Sequence, residues 1–125
     1  MADKKIILNL DDNKDLTEVI GELLKRYSKE KGLNWEILSF TSPRKALEKV
    51  LKLPTLDLGI VNYTMPEFDG FEVTKILKKH FANCRIILQG ACSAEEALAA
   101  GADLYIRTPF DPDELIQTVA KLLGE

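Results

Sequence analysis

The sequence predicts an α/β domain, a doubly wound five-stranded parallel sheet with helices on both faces. Three observations carry this. Short apolar runs and segments of helical period alternate strictly, five of each. Most of the runs are nearly continuous in apolar residues, which suits strands covered on both faces. Finally, 125 residues suit one compact domain with a sizeable core, and no repeat, linker or low-complexity stretch divides them. One domain over 1–125 is therefore expected.

The first strand is read at 6–10, Ile-Ile-Leu-Asn-Leu. Leu16, Val19, Ile20, Leu23, Leu24 and Tyr27 keep helical spacing and predict one face of a long first helix. The second strand is read at 35–38, around Trp35. Ser42 then stands as an N-cap with Pro43 in the first turn, before Ala46, Leu47, Val50 and Leu51. The third strand covers 58–61, and Phe71, Val73, Ile76 and Leu77 predict the third helix. The fourth strand covers 86–88. A short helix over 94–100 follows and stops at Gly101. The fifth strand covers 104–106. Asp111, Pro112 and Glu114 form a capped start for a last helix with Leu115, Val119 and Leu122 inward.

Bulk properties exclude several functions. A formal charge of −3 makes no electrostatic case for nucleic acid or an anionic membrane. No apolar run reaches transmembrane length, and the first residues show no signal-peptide pattern, so a cytoplasmic protein is expected. Cys84 and Cys92 lack metal-ligand spacing and read as reduced thiols. His80 ends a helix and faces solvent, and Trp35 packs in its strand.

In a sheet of this kind the site lies beyond the carboxyl ends of the strands. Asp11, Asp12 and Asn13 stand after the first strand, Asn62 after the third, and Gln89, Gly90 and Ala91 after the fourth. Arg107, Thr108, Pro109 and Phe110 follow the fifth. By position alone the adjacent acids serve either as a hard-cation site or as a helix cap.

The segments "IILNLDDN" (6–13), "LDLGIVNYTMPEFDG" (56–70) and "GADLYIRTPF" (101–110) together resemble the response-regulator receiver domain of bacterial two-component signalling. The resemblance covers nearly the whole chain. It implies a flavodoxin-like sheet of order 2-1-3-4-5. It sets Asp11 and Asp12 at the metal-binding acidic pair, with the Thr64 backbone carbonyl as a third ligand. Asn62 falls at the phosphoacceptor aspartate. Gly90 falls at the switch hydroxyl, Tyr105 at the switch aromatic and Thr108 at the phosphoryl-binding lysine. Pro109 falls at a proline that usually follows a cis bond.

Three of these positions depart from the family. Asn62 offers a neutral amide where carboxylate oxygen must attack phosphorus. Thr108 brings no cation to the transferring group. Gly90 has no hydroxyl. Losing one carboxylate together with the lysine leaves the pocket's net charge unchanged, so the two losses look matched. The resemblance thus implies a degenerate pseudo-receiver, not an enzyme, that works by protein–protein contact without phosphorylation. The alternative is a phosphoaccepting receiver inactivated by an engineered Asp-to-Asn change at Asn62. Weak Mg²⁺ binding is expected, because a neutral amide replaces an anionic ligand. Expected partners are a histidine kinase or an output protein, or a second copy through the face of the fourth helix, fifth strand and fifth helix. With a shortened fourth unit, Tyr105 is expected to pack or to line an interface and not to move. A flavin site is disfavoured, since Asp11 and Asp12 would repel phosphate and no G-x-G-x-x-G occurs. An aspartate-based phosphatase needs Asp-x-Asp where this chain has two adjacent acids.

Overall fold

A computed structural model describes residues 3–125. Its elements alternate without exception: β1 (Lys4–Leu10), α1 (Lys14–Glu30), β2 (Asn34–Phe40), α2 (Pro43–Val50), β3 (Leu58–Asn62), α3 (Gly70–His80), β4 (Arg85–Gly90), α4 (Ala94–Ala99), β5 (Leu104–Arg107) and α5 (Pro112–Leu122). The five strands form one parallel sheet of order β2-β1-β3-β4-β5.

Alternation along the central strands splits the core in two. Ile6, Leu8, Leu10, Val61, Ile86 and Leu88 face α2, α3 and α4 through Ala46, Leu47, Val50, Val73, Leu77 and Ala97. Ile7, Leu58, Ile60 and Ile87 face α1 and α5 through Ile20, Leu24, Leu115, Ile116 and Val119. Burying so many branched side chains on both faces, at about 1.5–3 kcal/mol each, is what holds a central parallel sheet together. Trp35 joins the second core, stacks on Tyr27 and donates its indole N–H to Glu125 Oε1 at 2.9 Å.

Edges and caps differ in places from the expected pattern. β2 is longer than its apolar run because it pairs with all of β1, from Lys4–Asn34 to Leu10–Phe40, and so takes in polar Asn34 and Ser39. Val19 is 48% exposed. The buried stripe of α1 runs through Thr17, Ile20, Gly21, Leu24 and Ser28, and at 100° per residue Val19 falls on its far side. Asp111 caps α5 by accepting from the Asp113 N–H without reciprocation from Glu114. Reciprocal capping boxes occur instead at Asp69/Glu72 on α3 and Ser93/Glu96 on α4. The fourth helix ends at Ala99, with Ala100 as its cap and Gly101 at φ +105° turning the chain away.

One ionic cluster ties three elements at the end of the sheet opposite the candidate site. Lys78 Nζ bridges the Cys84 carbonyl and Asp103 Oδ2, both at 2.7 Å. The Ile86 N–H donates to the same carboxylate oxygen at 2.8 Å. Burial alone would raise the Asp103 pKa, but Lys78, the Ile86 N–H and Arg85 together bring it below its ordinary 3.8. A lowered folded-state value means stability that is present above pH 3.8 and is lost as pH falls through the folded value. Replacing Asp103 by Ala is expected to cost about 1.5–3 kcal/mol at neutral pH, the range for hydrogen bonds to a charged group. The deficit should shrink steadily in acid. Urea midpoints for both proteins at several pH values measure this.

Candidate functional site

Two carboxylates follow β1, one carboxamide ends the neighbouring β3, and a second stands one residue before the end of β4. Strand register brings them level: Leu10 pairs with Val61, and Asn62 pairs with Gln89. Asn62 Nδ2 donates to Asp12 Oδ1 at 3.2 Å and to the Thr64 backbone carbonyl at 2.8 Å. Turned over, this amide would set its own carbonyl against two acceptors, so its neighbours dictate the orientation. Gln89 Nε2 donates to Asp11 Oδ2 at 3.2 Å in the interior. Among the described residues, the buried Gln89 Oε1 has no hydrogen-bond partner. Such a group costs about 1–3 kcal/mol, a sign that the amide is held by its N–H end.

The acids are positioned from beneath. Asn9 lies fully buried on the sheet face toward α1 and donates to the Thr17 carbonyl at 2.9 Å and to Ser39 Oγ at 3.1 Å. The Thr17 hydroxyl lies 2.8 Å from each of the Asp11 and Asn13 carbonyls. These bonds fasten the first turn of α1 to the end of β1. Asn13 is the cap, accepting from the Leu16 N–H. Capping therefore uses neither carboxyl group directly, although Asp11 Oδ1 accepts the Asn13 N–H at 3.0 Å. Burial pushes the Asp11 pKa up, the Asn13 N–H pulls against this, and the charge of exposed Asp12 adds to the rise.

The turn after Asn62 depends on Gly70. A Cβ there would lie 2.5 Å from the Asn62 carbonyl oxygen and 2.7 Å from Tyr63 Cα. Only glycine lets α3 begin this close to β3, with its N–H donating to the Tyr63 carbonyl at 2.8 Å. Asp69 beside it caps α3 and is not free for chemistry.

Gly90 stands at φ +132°, where side-chain-bearing residues are strained. Its added Cβ would lie 3.1 Å from both Asn62 Oδ1 and Tyr63 Cβ. The Tyr63 N–H donates to the Gln89 carbonyl at 2.7 Å, and Tyr105 Oη donates to the Gly90 carbonyl at 2.7 Å. Thr108 follows β5 directly, half-buried, and its bond to Pro109 is cis. Among the described residues no hydrogen bond joins its side chain to Asp11, Asp12, Asn62 or Gly90. Sequence reasoning gave Gln89 no role. Its signal was a long amide closing an otherwise apolar central strand.

A family model for the response regulator receiver domain matches residues 7–120. The chain belongs to that family. The transcriptional regulatory protein CssR of Bacillus subtilis is 34% identical over 108 residues, covering 83% of this chain and 46% of that protein. Response regulator SaeR of Staphylococcus aureus is 27% identical over 121 residues, covering 94% of this chain and 50% of that protein. The chain thus spans about half the length of these curated relatives. The Francisella response regulator 1452 receiver domain superposes with a TM-score of 0.76 at 27% identity, covering 96% of this chain and 97% of that one.

Receiver domains commonly bind Mg²⁺ at the phosphorylation site. The oxygens of Asp11, Asp12 and Thr64 are of a type that suits this hard cation. Their arrangement does not. Asn62 Nδ2 points at the Asp12 and Thr64 oxygens, and both Asp11 oxygens accept N–H groups. A cation approaching these oxygens would meet N–H donors already aimed at the same atoms. As arranged, the receiver pocket does not fit the ion.

The conformation at Gly90 also limits how a hydroxyl could be put back. Gly90→Ala is expected to destabilise the receiver by about 1–3 kcal/mol, from backbone strain together with the crowding against Asn62 and Tyr63. A threonine there should cost more, because branching at Cβ adds to both. Urea denaturation with an unchanged m-value, compared with an Ala99→Gly control in α4, measures the effect.

Proposed function

We propose that this receiver does not take up a phosphoryl group and signals by binding other proteins. The observation that carries the reading is the Asn62 amide, whose N–H group faces Asp12 and the Thr64 carbonyl while its oxygen lies toward Gly90. A neutral amide in this pose offers no nucleophile for phosphorus. Thr108 supplies no charge to the transferring group, and Gly90 supplies no hydroxyl to follow it.

Tyr105 supports the same reading. Its hydroxyl is committed to the Gly90 carbonyl and its ring packs against the α2–α3–α4 core, which suits a fixed element of a surface better than a moving reporter. Leu98 on α4, 54% exposed, lies on the helix that precedes β5. Response regulators interact with histidine kinases and output domains. For this chain we assign the α4–β5–α5 face to such a signalling partner or to a second copy, with no nucleic acid contacted by the domain itself and no membrane. Among the described residues no helix is long and apolar enough to cross a membrane. An origin of Asn62 in one introduced change is less favoured, because Gly90 and Thr108 depart as well and Gly90 is shaped to its strained backbone.

The test is intact mass after treatment with acetyl phosphate and Mg²⁺. The wild type is expected to gain no phosphoryl group. Asn62→Asp alone should label poorly. A missing electrostatic contact in the transition state costs about 3–4 kcal/mol, roughly a hundredfold to a thousandfold in rate. Adding Thr108→Lys should bring clear gain. If Asn62→Asp alone labels as fast as an ordinary receiver, the pocket was competent throughout and the proposal fails.

A further inference from the structure

The acidic pair and the two amides are matched one to one. Asn62 on β3 serves Asp12, and Gln89, its register partner on β4, serves Asp11. Asn62 Nδ2 also reaches the Thr64 carbonyl. The resemblance assigned those same oxygens to a divalent cation. A cation in such a pocket gathers converging oxygens that would otherwise repel one another. An amide nitrogen with two N–H groups can do the same for two oxygens, at hydrogen-bond distance and without dissociating.

We propose that the Asn62 and Gln89 carboxamides replace the divalent cation, making the pocket a metal-independent, permanently assembled unit. Gly90 belongs to this unit. The Asn62 oxygen needs the space where a side chain at residue 90 would stand, with a Cβ only 3.1 Å away. The inner half of the unit is enclosed, since Asp11 and Gln89 are both buried. Its outer half, Asn62 with Asp12, is open to solvent, so an incoming ion would meet it first and would have to displace the Asn62 amide. Mg²⁺ affinity is then limited by competition from Asn62, over and above the missing negative charge.

The two causes predict different variants. If only charge matters, replacing Asn62 by another neutral side chain leaves Mg²⁺ binding where it was. If the amide competes, removing it improves binding although no charge is added. The proposal rests on the reading of this pocket as one without phosphoryl chemistry, but the two fail separately: mass gain with acetyl phosphate sinks that reading, and the cation titration judges this one.

The experiment is calorimetric titration of MgCl₂ into the chelator-treated wild type, Asn62→Ala and Asn62→Leu, with thermal melts in chelator and in Mg²⁺. Leucine keeps the approximate shape of asparagine and guards against a variant that fails to fold. The wild-type melting temperature is expected to be the same in chelator and in Mg²⁺. At least one neutral variant should bind Mg²⁺ about tenfold more tightly than the wild type and gain a Mg²⁺-dependent rise in melting temperature. Wild-type binding equal to or tighter than that of both variants would overturn the proposal, because Asn62 would then be no competitor of the ion.

Discussion

Asn62 Nδ2 lies between a carboxylate from the end of β1 and a backbone carbonyl from the turn after β3. Much of the pocket's shape follows from that position. It joins the acidic corner to the β3–α3 turn, and it directs the amide oxygen toward the Gly90 backbone. That in turn crowds any side chain at residue 90, whose Cβ would lie 3.1 Å from the amide oxygen. With Tyr63 donating to Gln89 and Tyr105 donating to Gly90, the ends of β3, β4 and β5 are linked in series. Each bond alone is worth roughly 0.5–1.5 kcal/mol. Their shared residues make them act on one another, since moving the Gly90 carbonyl disturbs both Tyr105 and the space above Asn62.

The electrostatics of the corner explain why amides suit it. Asp11 and Asp12 are adjacent, and burial raises the Asp11 pKa with Asp12 adding to the rise. A third carboxylate at position 62 would increase that repulsion, and no lysine stands at 108 to offset it. Carboxamides supply donors without charge. The fit is incomplete at one atom, since Gln89 Oε1 has no partner among the described residues. That cost is tolerable because the same amide satisfies the deeper of the two acids, whose desolvation is the larger penalty.

The fold was highly legible because its signals were redundant. Strict alternation of elements, the apolar strands and Gly101 all pointed to one parallel sheet. The order of strands came from the resemblance carried by the acidic pair and the Met65-Pro66-x-x-Asp69-Gly70 turn. The pocket was legible as a set of positions, and Asp11, Asp12, Asn62 and Gly90 do meet at one end of the sheet. Its internal bonding was not legible, since residue types do not reveal which way an amide points. Gln89 escaped for a related reason: a polar residue at a strand end reads as solvent-facing until the register sets it beneath Asp11. Gly90 read only as a lost hydroxyl, because a positive φ depends on how the loop packs on Tyr63. Val19 was misplaced because a helix face inferred from apolarity alone is wider than the stripe that packing uses.

The most direct test of this account is the side-chain amide signals of Asn62 and Gln89 in ¹⁵N-labelled protein, assigned by the loss of each in Asn62→Ala and Gln89→Leu. If the amides bind the acid pair, both NH₂ groups should be displaced from the shifts of solvent-exposed carboxamides. The buried Gln89 group should exchange slowly with water, and both groups should stay unchanged on adding Mg²⁺. An Asn62 signal at exposed-amide shifts, or one that moves on Mg²⁺ addition, would contradict the account. It would mean that the amide leaves its oxygens open to the ion.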